Sequence, residues 1–209
     1  MKKIAIVFTL IICCCQVAMA QYDPQAKEIL DRVSNKYSKM NGFKADFVNT
    51  LENKEAGVDE EYLGTIHVKN DLFKLEMGAN IIFFDGKLIR QYDSDLQEYT
   101  IRIPDAEIES LNLSTVLNLY KDGYKYRIRE QNADGYLIEL VPEDRTKSFH
   151  KILMDFTTNF DVRSFTYFEK NGNLVSTSVK EFQEKPDLQK SFFDFFKANL
   201  EVIDSVDLR

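Results

Sequence analysis

Hydrophobic residues follow two different periods along this chain. Over residues 26–40 they recur every three or four positions, which places them on one stripe of an amphipathic helix. Asp23-Pro24 supplies an N-cap and a first helical position, and Asn41-Gly42 predicts the end of the helix. The stripe consists of Ala26, Ile29, Leu30, Val33, Tyr37 and Met40. Such a helix is expected to cover a large apolar surface.

From residue 43 onward the period changes to two, which is typical of half-buried strands. Tight-turn dipeptides separate the alternating runs, and Asp85-Gly86 and Asn171-Gly172 are strong hairpin signals. The strand candidates are residues 43–51, 62–68, 73–77, 81–84, 88–92, 99–103, 124–129, 136–141, 149–156, 162–169 and 174–182, with a final one at 200–203. Consecutive strands joined by short turns predict one long antiparallel sheet, which must curl or close.

Two segments interrupt the strand pattern. Residues 104–113 are acidic and irregular, and residues 114–121 then predict a short helix with Val116, Leu117 and Tyr120 on one side. In the second segment, residues 186–199, four phenylalanines crowd together. The predicted fold class is therefore mainly β with covering helices (α+β), built on a single curved antiparallel sheet.

The first twenty residues have the pattern of a secretory signal peptide. A basic start precedes an uncharged apolar run, and Ala18-Met19-Ala20 is a small-x-small cleavage signal. The run is too short for a permanent membrane span. A lipoprotein signal needs a small residue before the modified cysteine, but Ile12 precedes Cys13 and cysteine precedes the other two. We expect cleavage at residue 20 and a mature protein without cysteine, and hence without disulfides.

Composition then narrows the classes of partner. Removing 20 of the 209 residues leaves 189, a length that suits one domain at residues 21–209. Removing Lys2 and Lys3 leaves 25 basic against 34 acidic residues, a net charge of −9. Nucleic acid and anionic membrane surfaces are disfavoured partners for a chain with this charge. The expectation is an acidic, exported, soluble monomer.

No catalytic, metal or cofactor motif stands out. His67 and His150 lie in strands without metal-ligand neighbours at suitable spacing, so both are interpreted as surface histidines. Asp93-x-Asp95 is interpreted as a solvated turn, because a calcium loop needs more oxygen ligands. The remaining feature is a surplus of aromatic residues, 16 phenylalanines and 10 tyrosines. They predict either a closed core or a partly filled concave sheet face that holds an apolar ligand.

Five segments, in order, resemble the periplasmic lipoprotein carrier family, LolA. They are residues 43–49 (FKADFVN), 64–77 with its G-x-hydrophobic-x-V-K start, 84–92 with its DGK…Y pattern, 113–120, and 193–204. The resemblance implies an unclosed antiparallel barrel with helices as a lid. The family has an Arg-Pro pair that ties the lid shut, where this chain has Asn70-Asp71. Asn70 can still hydrogen-bond to the lid but lacks the charged fork of arginine, so we expect a lid that opens easily.

The function implied by the resemblance is transport without enzymatic activity. Such a carrier binds the acyl chains of lipoproteins in a hydrophobic cavity in the periplasm. It shuttles them from an inner-membrane lipoprotein-releasing transporter to an outer-membrane acceptor. The alternatives are a carrier of another lipid or glycolipid, and an envelope-stress sensor domain of the same fold. The residues expected to line the acyl-chain cavity are Phe47, Ile66, Phe73, Leu75, Met77, Val116, Leu117 and Tyr120, with Asn70 as the lid contact.

Overall fold

The computed structural model describes residues 22–104 and 113–209, and only the backbone of Leu113 and Ser114. The predicted signal peptide and residues 105–112 of the predicted lid lie outside the described residues. Within the described residues, one long helix, α1 (Pro24–Ser38), and the short α2 (Leu113–Val116) accompany three 3-10 turns at Leu119–Lys121, Lys190–Phe193 and Phe195–Lys197. The strands are β1 (Phe43–Asn53), β2 (Val58–Lys69), β3 (Leu72–Met77), β4 (Asn80–Phe84), β5 (Ile89–Asp93), β6 (Glu98–Arg102), β7 (Tyr124–Gln131), β8 (Gly135–Pro142), β9 (Phe149–Thr157), β10 (Val162–Glu169), β11 (Leu174–Glu184) and β12 (Asp204–Asp207).

Two antiparallel meanders form one curved sheet. Strands β1–β6 are neighbours in chain order, as are β7–β11, and β1 pairs with β11 to join the two halves. The spatial order begins with β12 and ends with β7, so the sheet is unclosed. The predicted mainly β fold is confirmed, including the hairpin at Asp85-Gly86.

Helix α1 is attached to the sheet by its own N-cap. The Asp23 carboxylate accepts hydrogen bonds from the amides of Gln25 (2.9 Å) and Ala26 (3.3 Å), and from the amide of Ile128 on β7 (3.2 Å). The predicted stripe is buried along the helix from Ala26 to Tyr37, with Leu30 only 1% exposed, whereas Met40 lies beyond the helix end and is half-buried. One cap thus both starts the helix and directs its apolar stripe toward the sheet.

The predicted helix end was wrong. The helix stops at Ser38, and Gly42 has φ +142 just before β1, so it does not form the left-handed cap. Gly42 instead permits a close backbone approach, because a Cβ there would lie 2.6 Å from the carbonyl oxygen of Lys185. The chain therefore enters β1 at a glycine that packs against the backbone of Lys185.

Two further element predictions need correction. The last strand is β12, and it pairs in parallel with β6, whereas residues 200–203 cross from the outer sheet face to the sheet edge. The Tyr92 hydroxyl donates to the carbonyl of Glu201 (2.7 Å), and the Ile203 amide donates to the carbonyl of Gln97 (2.8 Å). These bonds hold the crossing segment before strand pairing begins. The predicted helix at 114–121 is also split, into α2 and a 3-10 turn.

The aromatic residues pack on both faces of the sheet. Phe195 from the C-terminal segment meets the rings of Phe83 and Tyr99, with centroids 5.6 and 4.5 Å apart, and Tyr92 completes this outer cluster. Residues 81–84 are all apolar because β4 is covered on both sides. Part of the aromatic surplus therefore belongs to this outer cluster and not to the concave face.

Candidate functional site

The concave face of the sheet carries the main apolar cluster. Side chains from α1, α2 and the inner positions of the strands pack there against one another. Seven of the eight predicted cavity residues are less than 9% exposed and belong to this cluster: Phe47, Ile66, Phe73, Leu75, Val116, Leu117 and Tyr120. The eighth, Met77, is half-buried and packs against it. The structure thus brings the predicted residues together, while their contact with a ligand stays a prediction.

Strand alternation explains why β1–β3 contribute to this cluster. Ile66 lies directly opposite Leu75 in the antiparallel register, and such partners share a sheet face. Gly64 lies opposite Phe47, and a Cβ at Gly64 would lie 2.3 Å from Cζ of that ring. The absence of a side chain at Gly64 leaves the space that the outer end of the Phe47 ring occupies over β2.

The described part of the predicted lid, residues 113–121, is tied to α1 by side-chain hydrogen bonds. The Tyr120 hydroxyl donates to the Asp31 carboxylate (2.6 Å), and the Ser34 hydroxyl donates to the side-chain oxygen of Asn118 (2.7 Å). Burial raises the pKa of Tyr120, and the bond to Asp31 adds to this. The hydrogen bonds from Lys27 and then Tyr120 lower the pKa of Asp31. The lid is therefore pinned by polar groups at its rim, while Val116 and Leu117 insert into the apolar cluster.

The predicted lid contact, Asn70, lies in the turn between β2 and β3. It has φ +53 and is exposed. Its amide forms no hydrogen bond to residues 22–104 or 113–209. A role for Asn70 in holding the lid therefore stays a prediction.

A row of polar side chains crosses three strands on the same concave face. Arg102 on β6 donates from a guanidinium nitrogen to Gln91 Oε1 on β5 (2.9 Å), and Gln91 Nε2 donates to Asn80 Oδ1 on β4 (2.9 Å). Gln91 lies opposite Ile82, and Arg102 opposite Ile89. Since both isoleucines belong to the main cluster, the row faces the concave side. We call Asn80, Gln91 and Arg102 the inner polar row.

Sequence reasoning missed the inner polar row, although a signal for it was available. Gln91 is two residues from Ile89 in β5, and residues two apart point to the same face of a strand. The sequence could not show whether that face of β5 lies on the concave or the outer side of the sheet. The uniformly apolar run at residues 81–84 is compatible with either side.

The two histidines differ in environment. His150 is exposed, as predicted, but His67 is half-buried beneath the Phe192 ring, with centroids 4.8 Å apart. Burial lowers the pKa of His67. The positive charges of Lys74 and Lys44 lower it further, whereas the negative charge of Glu76 raises it. The prediction of a surface position for His67 was therefore wrong, because the C-terminal segment covers the outer face of β2.

Other ligand chemistry is not evident in the described parts of the chain. Among residues 22–104 and 113–209, no three His, Cys, Asp or Glu side chains are grouped as a metal site would require. Nor does any helix in those ranges have the length and apolar character needed to span a membrane. On the outer face, a cleft of about 350 Å³ under the C-terminal segment contains Arg90 and Lys197. Asp85 and Asp194 pair with these two cations at 2.6 and 3.9 Å, respectively.

Comparison with known proteins places this geometry in a family context. Residues 38–196 match the sequence model of the family described as outer membrane lipoprotein carrier protein LolA. An outer-membrane lipoprotein carrier protein of Pectobacterium carotovorum is 24% identical over 181 residues, which cover 84% of this chain and 85% of that one. One of Photorhabdus laumondii is 24% identical over 153 residues, covering 71% and 74%.

A solved structure shows a similar fold. The crystal structure of a conserved protein from Thermus thermophilus superimposes with a TM-score of 0.55 at 17% identity, over 86% of this chain and 99% of that one. At this identity the likeness concerns the fold alone. It supports the curved, unclosed sheet described above.

Proposed function

The chain belongs to the family of the outer membrane lipoprotein carrier protein LolA, and from this membership we propose that it carries acylated lipoproteins through the periplasm. The family is one of carrier proteins, and its relatives are named for that role. In this proposal the acyl chains of the cargo enter between the concave sheet face and the helices. The predicted cavity residues then become the walls of the binding site.

The observation that carries the proposal is the apolar cluster beneath the lid. Val116 and Leu117 belong to the same cluster on the concave face as Phe73 and Leu75, and all four side chains are at most 3% exposed. These lid side chains occupy the space that an acyl chain would take. Opening the lid exposes an apolar surface that an acyl chain can cover again, so a ligand compensates for the contacts that opening removes.

Magnitudes explain why an exchangeable lid suits a carrier. Each buried methylene contributes about 0.8 kcal/mol, so a long acyl chain contributes on the order of 10 kcal/mol. Three chains bound at that strength would leave too slowly for transfer. Closing the lid buries Val116 and Leu117 again, at about 1.5–3 kcal/mol each, and this competes with the cargo. Closure therefore assists release.

The proposal extends to location and partners. Residues 1–20 act as a cleaved signal peptide and direct the chain to the periplasm. An inner-membrane lipoprotein-releasing transporter donates the cargo, and an outer-membrane acceptor receives it. Intact mass of the exported protein tests the first step: a mature chain that begins at Gln21 without added lipid supports it, and an attached diacylglycerol contradicts it.

The decisive experiment measures release of lipoproteins from membranes. Purified mature protein is added to spheroplasts of its host, and lipoproteins in the supernatant are counted by mass spectrometry. Leu75→Asp places a charge in the apolar cluster and should abolish release. The matched control is Leu63→Asp, because Leu63 is 72% exposed on the neighbouring strand β2 and should retain release.

The outcomes separate the proposed cargo from its alternatives. Release of lipoproteins by the wild type and the Leu63 variant, but not by the Leu75 variant, supports the proposal. Co-purification of a free lipid or glycolipid with no release of lipoproteins would favour a carrier of another lipid. Circular dichroism of the Leu75 variant shows whether a loss of release reflects unfolding. If it does, Met77→Asp, at a half-buried position on the same strand face, replaces it.

A further inference from the structure

We propose that the inner polar row binds the ester and amide carbonyls of the cargo's polar head, so that the acyl chains extend from there toward α1. The inference rests on the proposed function and adds a recognition site to it. It assigns a direction to the bound ligand, with its head at β4–β6 and its tails toward α1.

The hydrogen-bond direction within the row leaves a donor at its end. Arg102 donates to Gln91, and Gln91 donates to Asn80, so the Asn80 side-chain oxygen is already engaged. The Asn80 amide nitrogen has no acceptor among residues 22–104 and 113–209. Bonds aligned head to tail polarise one another, which strengthens the terminal donor. That donor suits a carbonyl acceptor.

The inner polar row lies at the margin of the apolar cluster, where a ligand on the concave side can reach it. Gln91 and Asn80 are half-buried, while their face neighbours Ile82 and Ile89 are at most 6% exposed. The row therefore lies where the apolar cluster ends and solvent access begins. An amphiphile that follows this face meets the apolar cluster and the polar row in succession, which matches its own division into tails and head.

The chemistry of the row favours a neutral head over an anion. Two of its three members are amides, which both donate and accept, and its one cation already bonds to Gln91. Ester and amide carbonyls are neutral acceptors and are abundant where acyl chains join a lipidated amino terminus. Apolar chains are disfavoured there, because they would remove water from the amides without replacing its hydrogen bonds. A few placed polar groups in an apolar site serve to orient a ligand.

Binding of three probes to the mature protein tests the assignment. The probes are a dipalmitoylglyceryl-cysteine peptide, an alkyl-pyrene of similar chain length without ester or amide, and palmitate. Gln91→Leu removes the centre of the row at nearly constant volume. The lipopeptide dissociation constant should rise about tenfold, whereas that of the alkyl-pyrene should stay within about twofold, because only the lipopeptide loses hydrogen bonds.

The matched control is Gln183→Leu. Gln183 is also half-buried, but it lies on β11 opposite Lys44, on the outer face, where its amide donates to Glu181 at 2.5 Å. This variant should bind all three probes as the wild type does. Equal weakening of lipopeptide and alkyl-pyrene by Gln91→Leu overturns the proposal, as does an unchanged lipopeptide affinity. A loss confined to palmitate overturns it in favour of an anion site.

Photo-crosslinking of the wild type provides a test that needs no variant. A diazirine beside the ester should label peptides within residues 80–102, and a diazirine at the end of the acyl chain should label α1 or β1–β3. The reverse pattern overturns the assigned direction. If the wild type binds neither lipopeptide nor alkyl-pyrene, the proposed function itself fails. If only the assignment of the inner polar row is wrong, the wild type still binds both probes.

Discussion

Removing the Tyr120 hydroxyl tests whether the lid opens as a unit of its own. In Tyr120→Phe the ring stays in the apolar cluster, while the hydrogen bond of the hydroxyl to Asp31 and its interaction with the Ser34 hydroxyl, both on α1, are lost. The Asp31 side chain is 40% exposed and is also held by Lys27 at 2.8 Å, so water can replace the lost donor. The perturbation is therefore confined to the contacts of one lid hydroxyl with α1.

The expected magnitude follows from that geometry. A hydrogen bond to a charged group contributes about 1.5–3 kcal/mol, and the exposure of Asp31 reduces this to about 1 kcal/mol. The opening equilibrium should then shift about fivefold. If the closed lid competes with acyl chains, apparent affinity for a lipopeptide should rise by the same factor, since more of the protein is open.

Hydrogen exchange followed by mass spectrometry measures the opening. Peptides covering residues 113–121 should exchange about fivefold faster in Tyr120→Phe, while peptides from β1 and β2 should change little. Tyr62→Phe is the matched control, because its hydroxyl donates to Glu60 at 2.7 Å on an exposed part of β2. Equal acceleration in the lid and the sheet, or none in either, would refute an independently opening lid.

Three further variants test the packing around the concave face. Tyr37→Phe should lower the free energy of unfolding by about 1–3 kcal/mol in urea titrations, because the buried Val162 amide loses its acceptor at 3.0 Å. Gly64→Ala should destabilise by about 1–3 kcal/mol through its clash with the Phe47 ring, and Phe47→Leu should relieve this in the double variant. Since burial lowers the folded-state pKa of His67, the unfolded state binds more protons, and stability should fall as pH drops below about 6.5. His67→Gln should remove that dependence in thermal melts.

Controls for these variants come from the same chain. His150→Gln, at an exposed position, should leave the pH dependence of the wild type intact. Additive effects of the Gly64 and Phe47 substitutions would contradict the proposed clash. An unchanged urea midpoint for Tyr37→Phe would mean that water satisfies the Val162 amide.

The helix and the strands followed from local pattern. The apolar stripe of residues 26–37 and the N-cap at Asp23 predicted α1, because helical periodicity and capping depend on neighbouring residues alone. Alternation and turn dipeptides predicted β1–β11 to within a few residues, since the side-chain period of a strand is also local. The predicted cavity residues of β3 share a face for the same reason, as alternation assigns Phe73, Leu75 and Met77 to one side of the strand.

Errors arose where long-range packing decides. The helix end, the position of β12 and the burial of His67 each depend on segments distant in the chain: Lys185 beside Gly42, β6 beside β12, and Phe192 above His67. No local pattern encodes these neighbours.

By itself, the sequence determined the periods, the turns and the sharing of faces within each strand. It left open which face of the sheet is concave, because an apolar run such as residues 81–84 fits both. Only the tertiary structure decided that β1 joins the two meanders, that the C-terminal phenylalanines cover the outer face, and that Gln91 therefore points inward. The physical reason is that a face becomes inner or outer only when other segments cover it, and those segments are far away in sequence.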